Sequence, residues 1–567
     1  MKKISLSLIL ILAFALFIRL FWLNLYPNNV TTDELHFILN AKSVFLQFSN
    51  LGKNWNPLSF STIPNETSSE MPFILTSLFI GSLPFGLLFS KIIYVLFGVA
   101  SIYLIYLICR KLFNHKIALI ASLIYTINPW AIYVSRTAFD APLAMFFFLQ
   151  TLYLLLIYKN KKILLALIPG ALSFYCYIGT KIIFLPAIFI FSYYAYLKNK
   201  KDFKYYLSLL LLSLLIVSIY FVRLNSSGGS KRIGELSTPN NSIILSQSLT
   251  DKNLSLKTPL KLIYSNKYSV FLGNFFNKYI TNFSTDIMFT KGDPTYLVSL
   301  WQHGYFYLID FVLILFGLIG LYKFNKHSFF LILFLIALSP IPEAIRIDRI
   351  PAYAFHSCFQ YPFLFILIAF GINELLSLKI KLLPLILFSV YLLSYINFNY
   401  IYFYRYPIYQ SEGFFFSRKI VSQYLKLNSN QPTIVISPEP DSFFRDYLFN
   451  TNNLNKSNIG EINKFYQQND KNNFKIDHVL FTRDMPKKFD KNITYVIDKQ
   501  SGSQPTNSPY LLINKLSDPA PMFYIINDTL CNKEKLDYFI HDIRIADFNL
   551  NKLNNSNFCK KYLNFPL

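Results

Sequence analysis

Two adjacent carboxylates, Asp33 and Glu34, are the first residues along the chain whose types suggest chemistry. They stand in the run Asn28-Asn-Val-Thr-Thr-Asp-Glu-Leu-His36, shortly after the first apolar segment ends. Like charges this close together raise the pKa of one carboxyl group, and partial burial adds to that shift. A carboxylate in such a place can take a proton from a hydroxyl nucleophile. The same residues also fit a helix N-cap, formed by Thr32 or Asp33, with Glu34 near the positive end of the helix, and both interpretations can hold together.

Two further charged clusters lie in short connections between apolar segments. Arg136 and Asp140 belong to the turn Ser135-Arg-Thr-Ala-Phe-Asp140. Charges beside lipid are costly and usually pair or bind a ligand, so this turn is either closed by an ion pair or part of a binding site. Lys181, in the run Tyr175-Cys-Tyr-Ile-Gly-Thr-Lys181, either extends to the lipid headgroups or binds a lipid phosphate from the protein side.

The remaining candidates lie in two later loops. Asp293 follows a glycine and precedes a proline, and His303 comes shortly before an apolar segment. Arg346, Arg349 and His356 stand close together in a second loop. Guanidinium groups match the geometry of phosphate oxygens, so this loop is a natural anion site. A solvated loop with no ligand is the alternative.

The elements that must position these residues are membrane helices. The chain has 567 residues, of which 53% are hydrophobic and only 15% charged, whereas a soluble protein has about 25% charged residues. Its apolar segments reach the length of about 20 residues that a helix needs to cross a bilayer. About eleven spans are predicted, at 4–25, 91–109, 117–135, 141–158, 163–179, 182–197, 205–222, 305–322, 329–342, 359–377 and 382–403. The stretch 72–90, which prolines interrupt, is predicted to be an interfacial or re-entrant helix.

Lysine and arginine residues predict the orientation of these spans. Every second short connection is basic, and all the basic ones fall on the side of Lys2 and Lys3. The positive-inside rule therefore places the N-terminus in the cytoplasm. The loops 24–71, 223–304 and 343–358 and the tail 404–567 are then extracytoplasmic. Because the lysines that cause the net charge of +24 lie between apolar blocks, we expect no nucleic-acid partner.

The tail 404–567 has a different character from the rest of the chain. Four of its segments are rich in β-branched and aromatic residues, as strands are: Thr433–Ser437, His478–Thr482, Thr494–Asp498 and Met522–Ile526. The fold class predicted here is an all-α polytopic bundle, residues 1–403, with a small α/β extracytoplasmic domain, residues 404–567. Cys531 and Cys559 both lie in this domain, and an oxidising compartment would permit a disulfide between them.

The charged clusters share one predicted side of the membrane, and together they suggest one chemistry. A site that joins a lipid-borne phosphate to a sugar hydroxyl needs a carboxylate base, cations for the leaving phosphate, and aromatic rings for the sugar and lipid. The chain has no phosphate-binding G-x-x-x-x-G-K-[ST] motif and no C-x-x-C pair. These absences exclude an ATP-driven pump of that type, a zinc ribbon and a thioredoxin motif.

Residues 1–415 resemble the GT-C superfamily of integral-membrane glycosyltransferases, and within it the branch of protein O-mannosyltransferases and aminoarabinose transferases. The matching pieces occur in family order: Asp33-Glu34, Asn128-Pro-Trp and Val134-Ser-Arg136, Tyr175 and Tyr177 with Lys181 and Pro186, Gly292-Asp293, Ile341-Pro342 with His356, and Arg405-Tyr-Pro407. The sequence departs from the family pattern in two places. Relatives often have arginine where Lys181 stands, and Ser357–Gln360 supplies no arginine after His356.

The resemblance implies a reaction and roles for the candidate residues. Asp33, with Glu34 as its neighbour, would deprotonate the acceptor hydroxyl, which would attack the anomeric carbon of a polyprenyl-phosphate-linked sugar with inversion. Phosphate binding is expected at Lys181, Arg346 or Arg349, unless the donor differs. The acceptor would be a lipid, glycan or protein outside the cell membrane, and we expect no metal and no other cofactor.

Two other functions remain possible at this point. A transporter or flippase for a lipid-linked or small solute would also need many spans, but transporters usually place charges near the bilayer midplane and repeat their halves. No repeat is visible here. A receptor-like protein whose tail binds wall components would need fewer spans than this chain has.

Overall fold

The computed structural model describes residues 5–53, 69–226, 239, 241–294, 300, 303–346, 353–467, 472–502, 509–531, 536 and 543–565. The chain forms two compact units. The first unit consists of Met1–Phe21, Pro57–Pro72 and Tyr94–Ile401, and the second of Trp22–Asn56, Phe73–Ile93 and Tyr402–Leu567.

Seven helices in the described ranges are long and apolar enough to cross a membrane, and the chain is a multi-pass membrane protein. These helices are Leu87–Leu112, Asp140–Ile157, Ile178–Leu197, Lys200–Arg223, Lys326–Ile345, Ala354–Ser377 and Leu383–Tyr409. The last one continues beyond residue 403, where the sequence analysis ended it. The remaining four predicted spans are shorter helices: Leu6–Leu20, His115–Ile127, Leu167–Cys176 and Leu308–Phe324.

Proline explains why one predicted span is broken. Residues 117–135 form two helices, His115–Ile127 and Pro129–Val134. Pro129 has no backbone N–H to continue the first helix but suits the first turn of the second. Asn128 caps that second helix, since its side-chain oxygen accepts a hydrogen bond of 2.9 Å from the Ala131 N–H. Similarly, the stretch 72–90 contains the short helix Met71–Ser82 and then the start of Leu87–Leu112.

In the first unit, glycines allow two helices to pack backbone against backbone. A Cβ added to Gly317 would meet the Leu367 carbonyl oxygen at 1.9 Å, and one added to Gly371 would meet the Leu313 carbonyl oxygen at 2.0 Å. The helices Leu308–Phe324 and Tyr361–Ser377 therefore approach each other through small residues. Such contacts are typical of helices in lipid, where burial of apolar side chains gives little driving force.

The predicted loop 223–304 also contains helices within the first unit. Ser242–Leu254, Leu260–Tyr264 and Lys267–Thr281 follow one another, and a π-helical turn covers Asp286–Thr290. The Tyr279 hydroxyl donates a hydrogen bond of 2.7 Å to the Ala337 carbonyl, which attaches this loop to the end of a membrane helix.

The second unit is built around a six-stranded mixed sheet. Its strands are β1 (Thr433–Ile436), β2 (Asn473–Ile476), β3 (Val479–Thr482), β4 (Thr494–Asp498), β5 (Tyr510–Asn514) and β6 (Pro521–Ile526), in the order β2-β3-β1-β4-β6-β5. β1 lies parallel to β3 and β4, and the other pairs are antiparallel. The tail helices are Phe416–Leu427, Pro440–Asn450, Ile459–Gln467 and Asn555–Tyr562. Cys531 and Cys559 form a disulfide.

The second unit contains more than the tail. The helix Thr32–Gln47 from the first loop belongs to it and packs beside the tail helix Pro440–Asn450. Gln47 and Asn463 exchange two amide hydrogen bonds, of 3.1 and 2.7 Å. The tail therefore shares a folding unit with the loop that carries Asp33 and Glu34.

Candidate functional site

We call the segment Asn28–Glu34 the carboxylate loop. Its last three residues are the beginning of the helix Thr32–Gln47. Thr31 caps that helix: its hydroxyl accepts from the Glu34 N–H at 3.2 Å, and the Glu34 carboxylate accepts from the Thr31 N–H at 2.9 Å. This reciprocal arrangement satisfies two backbone donors at the helix start. The cap lies one residue earlier than the sequence analysis proposed, and it fixes the backbone on both sides of Asp33.

The two adjacent carboxylates have opposite environments. Glu34 is fully buried, and its second oxygen lies 3.2 Å from the Lys91 amine, which is also fully buried. The Lys91 amine also donates to the Asn29 carbonyl at 3.4 Å. Asp33 is exposed. Glu34 is therefore committed to a structural ion pair, and Asp33 is the member of the pair that a substrate can reach.

The tail holds the other end of the carboxylate loop. The Lys419 amine donates to the Asn28 carbonyl at 2.6 Å, and the Asn28 amide donates to the Pro407 carbonyl at 2.9 Å. Burial, and secondarily the charge of Lys91, lower the pKa of Lys419 to about 7. The amine therefore loses its charge as the pH rises through about 7, and the neutral amine remains a hydrogen-bond donor.

In the first unit, Lys181 lies among aromatic and hydroxyl groups. Its amine donates to the Ser69 hydroxyl and to the Tyr177 carbonyl, both at 3.3 Å. It also lies 5.0 Å from the centre of the Tyr220 ring and 5.7 Å from that of Phe174. Cations at such distances interact favourably with the faces of aromatic rings. Lys181 is thus held by the protein, although its side chain remains partly exposed.

Tyr177 connects Lys181 to a second group of predicted residues. Its hydroxyl shares a hydrogen bond of 2.6 Å with His356 Nδ1, and the two rings stack. His356 also lies against the Tyr353 ring, with 5.0 Å between centroids, and the Arg346 guanidinium lies 5.5 Å from the centre of that same ring. We call Tyr177, Lys181, Arg346, Tyr353 and His356 the Tyr177 cluster. Three of the predicted ligands are therefore neighbours.

Arg346 pairs with a buried carboxylate and is partly exposed. Its guanidinium lies 3.3 Å from the carboxylate of Glu343, which is fully buried, while the Arg346 side chain remains 24% exposed. A guanidinium that is partly exposed can still bind an anion from solvent. Arg349 lies outside the described residues.

Arg136 lies in the predicted turn between two helices, but its side chain does not face the solvent. Its guanidinium is fully buried and donates to the carbonyls of Ile18, Arg19 and Phe21, at 3.2, 2.8 and 2.7 Å. These carbonyls end the helix Leu6–Leu20, where backbone acceptors have no partner within the helix. Arg19, which sequence analysis missed, donates in the same way to the carbonyls of Tyr125 and Thr126. These carbonyls lie at the end of the helix His115–Ile127. Both arginines join helices.

The other predicted residues also have structural partners. The buried Asp293 accepts from the Ala354 N–H at 3.1 Å, and Gly292 before it has a φ of 84°, which favours glycine. Asp140 is half-buried at the start of the helix Asp140–Ile157. His303 lies between the rings of Tyr307 and Phe398, and burial lowers its pKa. Within the described ranges, no three His, Cys, Asp or Glu side chains form a group that could hold a metal ion.

Sequence reasoning missed Lys91, Tyr177 as a connecting residue, and Lys419. Lys91 had one usable signal, because a lysine near the start of an apolar span needs a partner. Tyr177 was part of a recognised motif but carried no role. Nothing local distinguishes Lys419 from the many other lysines, since its contacts come from residues far away in sequence.

Comparisons with known proteins support one fold. Residues 74–221 match the family model of dolichyl-phosphate-mannose-protein mannosyltransferase. No curated protein matches the chain. The solved structure of ArnT from Cupriavidus metallidurans in the apo state is similar, with a TM-score of 0.51, 9% identity, and coverage of 91% of this chain and 97% of that one.

Two further solved structures are similar over most of this chain. ArnT from Cupriavidus metallidurans bound to undecaprenyl phosphate gives a TM-score of 0.50 at 10% identity, covering 92% of this chain and 98% of that one. The apo oligosaccharyltransferase of Archaeoglobus fulgidus gives 0.43 at 13% identity, covering 92% and 74%. The predicted GT-C-like fold, a helical membrane bundle with a small C-terminal sheet domain, is confirmed by the likeness to ArnT.

Proposed function

We propose that this chain is a membrane glycosyltransferase that moves a sugar from a polyprenyl-phosphate donor to a hydroxyl group of an extracytoplasmic acceptor. One observation carries the proposal: in the carboxylate loop, Glu34 is buried against Lys91 while the adjacent Asp33 is exposed on a capped, fixed backbone. The match of residues 74–221 to a mannosyltransferase family model supports the same reaction class. The undecaprenyl phosphate bound by ArnT, which has a similar fold, supports a lipid phosphate as the leaving group.

Asp33 acts as the general base in this proposal. Its carboxylate takes the proton of the acceptor hydroxyl, and the oxygen attacks the anomeric carbon of the donor sugar. The bond between that carbon and the phosphate oxygen breaks on the opposite face, so the configuration inverts. The electron pair leaves with the polyprenyl phosphate, which is released as an anion. Glu34 does not react but holds Asp33 in place through the helix cap and the pair with Lys91.

The Tyr177 cluster binds the phosphate of the donor in this proposal. Lys181 and Arg346 supply positive charge, and His356, oriented by the Tyr177 hydroxyl, supplies a further hydrogen-bonding group. Cations that meet developing negative charge lower the barrier to its departure. We assign Arg136 to the construction of the bundle, because its guanidinium already donates to three backbone carbonyls. Arg349 remains a proposed phosphate ligand on sequence grounds alone.

The orientation of the chain follows from its basic connections. We propose that the N-terminus is cytoplasmic and that the carboxylate loop and the tail are extracytoplasmic in the cell membrane. The disulfide between Cys531 and Cys559 supports an oxidising location for the tail. Labelling of a cysteine introduced at Lys491, with a reagent that does not cross membranes, tests this orientation.

Substitution of the proposed base tests the function. We expect Asp33→Asn to reduce sugar transfer from an undecaprenyl-phosphate-linked hexose by about 100- to 10,000-fold, the usual contribution of a general base, while the thermal stability of the purified protein is unchanged. Asp484→Asn, at an exposed aspartate of the tail, is the matched control and should retain full activity. Full transfer by Asp33→Asn would show that another group is the base.

A further inference from the structure

A cavity of about 270 Å³ lies within the second unit, apart from the exposed Asp33 carboxylate. Its wall comes from three segments: the first loop contributes Asn24, the beginning of the helix Leu87–Leu112 and the residues before it contribute Phe85 and Phe89, and the tail contributes Lys419 and Gln423. The volume is near the lower end of the range of about 300–1,000 Å³ that is usual for ligand sites. It suits one small cyclic ligand rather than a long polymer.

Gln423 is the polar group that most needs a ligand. Its side chain is only 7% exposed, yet it lines the cavity. Among the residues that the structure describes, no group forms a hydrogen bond with its amide. Its amide faces the cavity and offers both a donor and an acceptor. A ligand with both donor and acceptor groups would form hydrogen bonds with it.

Other amides surround the same space. The side chains of Asn24, Asn549 and Asn551 line the cavity, and they too have no hydrogen-bond partner in the described parts of the chain. Each amide offers an oxygen that accepts and a nitrogen that donates. Such paired groups match vicinal hydroxyls, because a hydroxyl also donates and accepts.

Aromatic rings form the apolar part of the wall. Phe85 and Phe449 lie with 5.5 Å between their ring centroids, and Phe548 also lines the cavity. Aromatic faces provide large, rigid, apolar contact surfaces. A wall that combines rings and amides suits a ligand with an apolar face and a hydroxylated rim, which is the character of a pyranose.

Lys419, a charged residue that lines the cavity, is a poor anion ligand in this structure. Its amine already donates to the carbonyls of Asn28 and Phe548, at 2.6 and 3.4 Å. Burial lowers its pKa to about 7, so that about half of the amines are uncharged at neutral pH. Among the residues that the structure describes, no arginine lines the cavity. A neutral ligand therefore fits the wall better than a phosphate or a carboxylate.

We infer that this cavity binds a neutral saccharide unit of the acceptor, so that the acceptor is a glycan or a glycolipid. That the bound saccharide belongs to the acceptor rests on the proposed function. Binding of a saccharide in the cavity does not depend on sugar transfer. The Lys419 amine touches the cavity and also holds the Asn28 carbonyl of the carboxylate loop. The cavity and the proposed base thus share one folding unit, and the same lysine contacts both the cavity and the carboxylate loop.

The experiment uses the full chain in lipid nanodiscs without a donor. Ligand-observed NMR would measure binding of a panel of soluble mono- to tetrasaccharides that contain hexoses, N-acetylhexosamines or uronic acids, with inorganic phosphate as the anion probe. We expect at least one neutral saccharide to bind to the natural chain. Gln423→Met and Asn551→Ala should each weaken that binding about tenfold, the usual effect of one lost hydrogen bond of this strength.

Controls separate this inference from the proposed function. Gln467→Met, at an exposed glutamine outside the cavity, should leave saccharide binding unchanged. Asn551 is exposed, so Asn551→Ala keeps the test valid if Gln423→Met does not fold. Binding of phosphate or of uronic acids alone, binding of no saccharide, or unchanged binding in both variants would overturn the inference. Asp33→Asn should bind the saccharide normally, so a failure of the proposed base is visible separately.

Discussion

The carboxylate loop and the Tyr177 cluster both hold charged side chains, but they do so by different means. In the loop, Glu34 and Lys91 form a fully buried ion pair, and a reciprocal helix cap fixes the backbone. In the cluster, Lys181 and Arg346 remain partly exposed and lie against aromatic rings. Removing one partner of a buried pair leaves an uncompensated charge, whereas a partly exposed cation can be removed at little cost.

This difference separates stability from function. A change at Lys91 should damage the fold of the second unit, and any loss of activity should follow from that damage. A change at Lys181 should leave the fold intact and reduce the binding of the donor. Substitution of Lys91 is therefore expected to lower stability, and substitution of Lys181 to lower donor binding. Comparing the two variants tests the roles assigned to both regions.

The largest expected effect is that of Lys91→Met. The substitution leaves the Glu34 carboxylate buried without its cation, and breaking such a pair typically costs about 3–5 kcal/mol. We expect a strong decrease in thermal stability, measured by scanning fluorimetry in detergent.

The matched control is the double variant Glu34→Gln with Lys91→Met, which removes both charges. It should recover a large part of the lost stability, because two neutral groups of similar size can replace a buried pair. If Lys91→Met alone were as stable as the natural chain, the ion pair would not hold the carboxylate loop.

Lys181→Met should have the second largest effect, on transfer instead of stability. A hydrogen bond to a charged group contributes about 1.5–3 kcal/mol, so KM for the polyprenyl-phosphate donor should rise roughly 10- to 100-fold. Steady-state transfer assays would measure this, and Lys181→Arg should keep most of the activity. An unchanged KM in Lys181→Met would remove Lys181 from the donor site.

The sheet shows what local sequence can and cannot predict about this fold. The strands β1, β3, β4 and β6 were predicted, and each lies inside the sheet. The two edge strands, β2 and β5, were missed. Interior strands contact apolar groups on both faces and are nearly continuous apolar runs, whereas β2 alternates exposed and buried residues. Its short sequence Asn-Phe-Lys-Ile therefore resembles the polar connections around it.

Prediction from local sequence has the same limit for the charged residues of the site. Sequence patterns identified Asp33, Lys181, Arg346 and His356 because they stand near predicted span ends. The patterns could not separate them from Arg136, whose three carbonyl partners lie more than a hundred residues away in sequence. Burial depends on long-range packing, and a charged residue in a loop looks the same whether it binds a ligand or caps a helix.

A smaller effect is expected when only the connection within the Tyr177 cluster is removed. Tyr177→Phe keeps the ring but removes the hydroxyl that bonds His356 at 2.6 Å. The loss of one such hydrogen bond, about 0.5–1.5 kcal/mol, should raise KM for the donor by about two- to tenfold. Tyr175→Phe, at the neighbouring tyrosine whose hydroxyl bonds the Ile216 carbonyl, should leave this KM unchanged. Equal effects of the two substitutions would contradict an orienting role for Tyr177.

The last prediction concerns the dependence of stability, and not of transfer, on pH in the carboxylate loop. Burial lowers the pKa of Lys419 to about 7, while the unfolded chain keeps this lysine protonated up to its ordinary value of 10.5. Between these two values the unfolded state binds the additional proton, so the free energy of unfolding should increase as the pH rises from about 7. Lys419→Met should remove this increase, which unfolding at several pH values would measure. Lys426→Met, at an exposed lysine of the same helix, should retain it. If both variants kept the increase, another group would titrate here, and the Lys419 contact with Asn28 would not explain how the tail holds the loop.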